Sequence, residues 1–125
     1  MVRSVVGGVD THADVHVAAV IDSNGGLLGI ESFPADQAGY ESLLGWMVGF
    51  GPIIRIGVEG TGSWGVGLAR FLADQEIVVV EVDRPHRQNR RKEGKSDPTD
   101  AVAAARAAIS GEASVTPKSR NGPVE

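Results

Sequence analysis

The sequence predicts one α/β domain built on a mixed five-stranded sheet with helices on its faces. Three observations carry that prediction. Three valine- and leucine-rich segments near the amino terminus are joined by short turn signals, the pattern of an antiparallel meander. From Asp36 onward, helical and strand periods alternate, as in α/β units. The chain has 125 residues, 42% of them apolar, which is enough for one core and too little for two.

The elements follow in order. Ser4–Asp10 is a short apolar run closing on an acid, as a buried strand does. His12–Ile21 alternates loosely and is rich in valine, predicting a second strand. Asp22-Ser23-Asn24-Gly25-Gly26 is a hairpin turn, because asparagine and glycine accept positive φ angles; Leu27–Phe33 is the returning strand. Tyr40, Leu43, Leu44, Met47 and Val48 fall on one helical stripe, ended by Gly51-Pro52. Ile53–Val58 is a β-branched strand leading to Glu59, Ser63–Glu76 reads as a helix, and Ile77–Val82 as a strand. Alanine-rich Asp97–Ser110 is the last helix. The domain is therefore expected over residues 1–110, with 111–125 a flexible polar tail.

Composition excludes several classes. The longest apolar run falls short of the ~18 residues that span a bilayer, and the start has no signal-peptide core. With no cysteine there is neither a disulfide framework nor a thiolate metal site, which fits a cytoplasmic protein. The net charge of −4 is unevenly spread. Between Arg84 and Lys95, the basic residues Arg84, Arg87, Arg90, Arg91, Lys92 and Lys95 oppose only Glu93, a net +5, so the rest of the chain carries −9. A basic cluster on an acidic body suits a surface that tracks phosphates, though a solvated helix face gives the same pattern.

The acids form the constellation with most chemistry in it. Asp10 ends strand one and Glu59 follows strand four; if those strands are parallel neighbours, both carboxylates emerge at one sheet edge. Asp97 and Asp100, spaced i and i+3 at the start of the last helix, face one way. Carboxylates gathered in one place repel unless a cation lies between them. Mg²⁺, with Mn²⁺ as a substitute, suits hard oxygen donors and phosphodiester chemistry. A duller reading of the Asp97/Asp100 pair stands beside this one. Ser96-Asp97-Pro98-Thr99-Asp100 is a good helix start, with Asp97 as cap, Pro98 first in the helix and Asp100 favoured by the dipole.

Other motifs weigh less. His12, Asp14 and His16 share a strand face and could reach one ion, but a solvated strand face is the better expectation. Tyr40 and the two tryptophans offer little aromatic interleaving for stacking bases, and no serine stands in a nucleophile motif. A rival occupies the same stretch as Glu59. Gly60-Thr61-Gly62-Ser63-Trp64-Gly65 matches GxGxxG, follows a strand and opens a helix, and Asp83 lies downstream. A Rossmann-like dinucleotide-binding module using Gly60, Gly62 and Gly65 is thus the alternative. Against it stand Glu59 at the mouth of a phosphate site and the meander that precedes the motif. A domain kept for assembly alone is a third reading, disfavoured by the intact carboxylates.

The segments GVDTHADVHVAAV around Asp10, VEGTGSWGVGLARFL around Glu59, VVVEVDRP at the fifth strand and KSDPTDAVAAAR around Asp97 and Asp100 resemble the DEDD transposases of bacterial insertion sequences. The amino-terminal half of those proteins is RuvC-like, within the ribonuclease H superfamily. The resemblance implies a sheet order of 3-2-1-4-5. It also implies that Asp10, Glu59, Asp97 and Asp100 bind Mg²⁺ and act in DNA strand cleavage and exchange during transposition. DNA is the implied partner, joined in some members by a guide RNA, and the full-length protein is expected to be a homo-oligomer with no membrane association. Trp64 stands where the family often has tyrosine, and Arg84 replaces a common asparagine before Pro85. Members also carry a carboxy-terminal domain with a serine nucleophile, so the 125-residue chain is expected to be incomplete as a recombinase.

Overall fold

A computed structural model describes residues 3–82, 98–110 and 114–115. The elements are β1 (Val5–Asp10), β2 (Val15–Asp22), β3 (Leu27–Pro34), α1 (Gln37–Val48), β4 (Ile53–Glu59), α2 (Val66–Asp74), β5 (Val79–Val82), α3 (Pro98–Ser110) and β6 (Ser114–Val115). They form one sheet of order β3-β2-β1-β4-β5-β6. Strands β1, β2 and β3 make the expected antiparallel meander, while β4 joins β1, and β5 joins β4, in parallel. The predicted order of five strands is present, extended by the two-residue β6, which pairs antiparallel with β5. Ser114 and Val115 lie inside the stretch that the sequence marks as a tail; the rest of that stretch is outside the described residues.

Alternation along the strands divides the core into two layers. Val5 and Val9 of β1, Ala18 and Val20 of β2, and Ile56 and Val58 of β4 pack with Leu43 and Met47 of α1 and Leu68 and Leu72 of α2. On the opposite face, Val6, Ile21 and Val80 pack with Ala105 and Ala108 of α3, and Val17 and Ala19 with Ala101. Every residue of β1 is buried, as befits a strand with neighbours on both sides and helices on both faces.

Local chemistry sets the element ends. Asp22 accepts hydrogen bonds from the amides of Asn24 (2.9 Å) and Gly26 (2.8 Å), closing the β2–β3 turn with Gly25 at φ +90°. These bonds hold the Asp22 carboxyl below its usual range, Gly26 contributing most. Asp36 caps α1, its side chain accepting from the Gly39 amide at 2.8 Å. Of the predicted stripe, Leu43 and Met47 are buried, Tyr40 and Leu44 half-buried, and Val48, the last residue of the helix, exposed. Helix α2 starts at Val66 rather than Ser63, since residues 60–65 close a hydrogen-bonded turn first. At its other end Glu76 takes φ +64° and donates to the Ala73 carbonyl at 2.9 Å, while Ile77 donates to the Leu72 carbonyl at 3.0 Å, and β5 begins only at Val79. Among the described residues no helix is long and apolar enough to cross a membrane.

Candidate metal centre

Asp10 and Glu59 are the last residues of β1 and β4, and in the parallel register of those strands they are direct partners. Two residues earlier on each strand stand Gly8 and Gly57, also partners. By the period of two, all four positions look to the α3 side of the sheet. The glycines decide how close α3 comes. A β-carbon on Gly8 would collide with the Ala105 nitrogen and the Ala101 carbonyl, and one on Gly57 would lie 2.6 Å from the Ala104 carbonyl. Helix α3 therefore rests backbone-to-backbone on the two central strands, on a face made of Ala101, Ala104, Ala105 and Ala108.

Asp100 belongs to that same face, one helical turn before Ala104, and it lies in the first turn of α3. The residue is only 5% exposed, against 7% for Asp10 and 6% for Glu59. The sheet and helix thus bury three carboxylates on one side of the sheet. Asp97 lies outside the described residues, as do Arg84, Arg87, Arg90, Arg91, Lys92 and Lys95. Further ties fix α3 in place: Arg55 of β4 donates to the Ala108 carbonyl at 3.1 Å, and Arg106 reaches the Gly25 carbonyl of the β2–β3 turn at 3.0 Å.

Thr11, not singled out by the sequence, connects the two acid-bearing strands. Its hydroxyl donates to the Glu59 carbonyl at 2.6 Å. It also fills the hollow beneath the glycine turn: a β-carbon on Gly60 would lie 2.7 Å from the Thr11 Oγ1. Gly60, at φ +85°, accepts from the amides of Ser63 (2.9 Å) and Gly65 (2.8 Å). Those amides, which a pyrophosphate would need, are consumed inside the turn. The signal for Thr11 was weak, a lone threonine after Asp10. The signal for Gly8 was stronger, a glycine pair inside an apolar strand that implies a close backbone approach.

His16 departs from expectation. Strand β2 begins at Val15, so His12 and Asp14 sit in the preceding turn and the shared strand face does not exist. His16 is fully buried rather than solvated. Its ring stacks on Tyr40 at 6.0 Å between centroids, Nδ1 accepts a long 3.4 Å hydrogen bond from the His12 amide, and Nε2 is buried with no hydrogen-bond partner. Burial holds the imidazole below its ordinary pKa of 6.5.

The donor set suits a hard divalent cation, since Asp10, Glu59 and Asp100 offer carboxylate oxygens with no thiolate or imidazole among them. Among the described residues no group of three His, Cys, Asp or Glu side chains stands close enough together to hold a metal ion, so Asp10, Glu59 and Asp100 do not by themselves complete a site, and Asp97 lies outside those residues. Mg²⁺ ordinarily takes only one or two carboxylates and completes its shell with water and substrate phosphate, a demand that the neighbouring Asp10 and Glu59 can meet as a pair.

This architecture is the ribonuclease H-like fold in its RuvC-like form. A structure of T. thermophilus RuvC in complex with a Holliday junction substrate superposes with a TM-score of 0.62 at 16% identity, over 90% of this chain and 99% of that one. A second Thermus thermophilus RuvC structure gives 0.60 at 17% identity with the same coverage. At such identity the likeness establishes the fold. None of the curated proteins is a significant match. The profile of the IS110-type DEDD transposases, described as transposase, matches residues 7–121, which include all four predicted acids. The chain belongs to that transposase family. The dinucleotide alternative loses its footing here: an antiparallel meander forms half the sheet, and the glycine turn binds its own amides.

Proposed function

We propose that this domain is the metal-dependent catalytic part of a DNA transposase, cutting and exchanging strands as an insertion sequence moves. The observation that carries the reading is the pairing of Asp10 with Glu59 at the ends of adjacent parallel strands, with Asp100 buried on the helix covering them. Asp10, Glu59 and Asp100, together with Asp97 three residues before Asp100, would hold one or two Mg²⁺ ions. Bound there, the metal supplies Lewis acidity toward the scissile phosphate and lowers the pKa of its water.

The chain's own residues do the rest. Burial keeps water from screening the carboxylates, so their charge acts at full strength on whatever cation they hold. Thr11 fixes the Glu59 peptide relative to β1, and the Gly8 and Gly57 contacts fix Asp100 relative to both strands. Arg84, Arg87, Arg90, Arg91, Lys92 and Lys95 would take phosphates along the DNA, positioning the strand without reading its sequence. A DNA substrate sets this work in the cytoplasm. DNA is the partner this reading gives the domain, with a guide RNA and a homo-oligomeric assembly as further expectations of it.

Plasmid nicking and DNA binding test the proposal together. Mg²⁺-dependent nicking by the wild type should vanish in Asp10→Asn and Glu59→Gln while DNA binding survives. Replacing Arg90 and Arg91 by alanine should weaken binding and reduce the slope of log affinity against log salt by about one per residue. Equal nicking by wild type and Asp10→Asn would refute the assignment of the acids, and an unchanged salt slope would refute that of the arginines.

A further inference from the structure

The chain has six aromatic residues besides histidine, three Phe, two Trp and one Tyr. Five of them pack in the layer formed by α1 and α2. Phe33 meets Trp46 at 5.6 Å between centroids, Trp46 meets Phe50 at 5.1 Å, and Tyr40 meets Phe71 at 6.0 Å. Trp64 is the exception, 58% exposed. An exposed aliphatic side chain needs no explanation, but indole is the largest apolar surface a residue can leave in water.

Its location narrows the possibilities. Trp64 rides on the turn that leaves Glu59 and enters α2, at the edge of the sheet where β1 and β4 end. That turn is stiff: Gly60 accepts two amides, Val66 donates to the Ser63 carbonyl at 3.2 Å, and Gly60 packs on Thr11. The indole is therefore presented by a fixed backbone, which lowers the ordering cost of using it. Around it the surface is open: a β-carbon added at Gly62 would meet nothing within 4 Å, and Val66 is exposed.

Resting on the function proposed above, we infer that Trp64 is a stacking platform for an unpaired nucleobase next to the scissile phosphate. A phosphate brought to Asp10 and Glu59 carries bases with it, and a flat apolar ring beside a polar site matches the face of a base. Bases within a duplex already stack on their neighbours, so the platform selects an unstacked one. The face is common to DNA and RNA, so the chemistry alone admits either a displaced DNA strand or a guide.

Binding of a short mixed-sequence single-stranded DNA, the RNA of the same sequence and a blunt duplex to wild type, Trp64→Ala and Trp64→Phe tests this. Ca²⁺ in place of Mg²⁺ suppresses cleavage, and matching melting temperatures establish that the variants fold. Trp64→Ala should lose about tenfold in affinity for single strands and little for duplex, while Trp64→Phe stays near wild type. A larger loss on the DNA strand assigns the base to the target, and a larger loss on RNA assigns it to a guide. Unchanged single-strand affinity in Trp64→Ala overturns the inference alone. So does a change in oligomeric state without a change in affinity, which would make Trp64 a protein contact. Failure of the wild type to bind any of the three nucleic acids overturns the proposed function as well.

Discussion

Gly8 of β1 lies directly beneath Ala105 of α3, so close that a single added β-carbon would strike the helix backbone. The contact sets the height of α3 above the sheet, and through it the depth at which Asp100 is buried. Backbone atoms cannot rotate aside as a side chain can, so Gly8→Ala is expected to destabilise the fold by about 3 kcal/mol, at the upper end of overpacking costs. Urea denaturation measures this. Stability equal to wild type would mean that α3 is free to lift.

Thr11→Val keeps the shape of the side chain and removes its hydrogen bond to the Glu59 carbonyl. The expected loss is about 1 kcal/mol of stability, with a larger proportional loss of nicking activity because the Glu59 carbonyl loses its tie to Thr11. Measuring melting temperature and activity on the same preparation separates the two effects.

Asp36→Ala removes the cap of α1 and leaves the Gly39 amide without its carboxylate. About 1 kcal/mol should be lost, and Asp36→Asn should recover most of it. Since α1 lies on the face away from the acids, metal binding should not change in either variant. A change in metal affinity would show that the two faces are coupled.

His16 gives a pH dependence of defined sign. Burial lowers its pKa in the folded state below 6.5, so the unfolded chain takes up the proton first as pH falls. Stability is therefore lost from pH 6.5 downward until the folded pKa is reached, and is constant above that window. The titratable groups facing the ring are His12 in the turn and Tyr40 on α1. His16→Phe keeps the stack on Tyr40 and should flatten denaturation midpoints between about pH 7.5 and about pH 5.5. The Asp22 turn has the opposite kind of group, a depressed carboxyl whose contribution fades only below about pH 4.

Much of this fold was legible because each signal was local. The turn at Asp22–Gly26, the helical stripe from Tyr40 and the apolar runs of β1 and β4 depend on neighbours in the chain, and they place Asp10 and Glu59 at strand ends. What the sequence could not show were contacts made across the fold. Val-Val-Gly-Gly-Val announces a buried strand, but only the packed helix reveals that Gly8 and Gly57 exist to let α3 descend. His16 reads as solvated from its polarity alone, yet it shares a strand face with the core residues Ala18 and Val20, and Tyr40 of α1 covers it. Strand β6 is two residues long, too short for any periodicity to register.

A divalent-metal site at the buried carboxylates requires that the cation bind them and leave when they are neutralised. Calorimetric titration of Mn²⁺ into the protein bound to DNA, beside Asp10→Asn and Glu59→Gln, tests it most directly. Saturable binding is expected in the wild type and its loss in both variants, whose melting temperatures remain close to that of the wild type. Binding that persists unchanged in the variants, or no binding to the DNA-bound wild type, would contradict it.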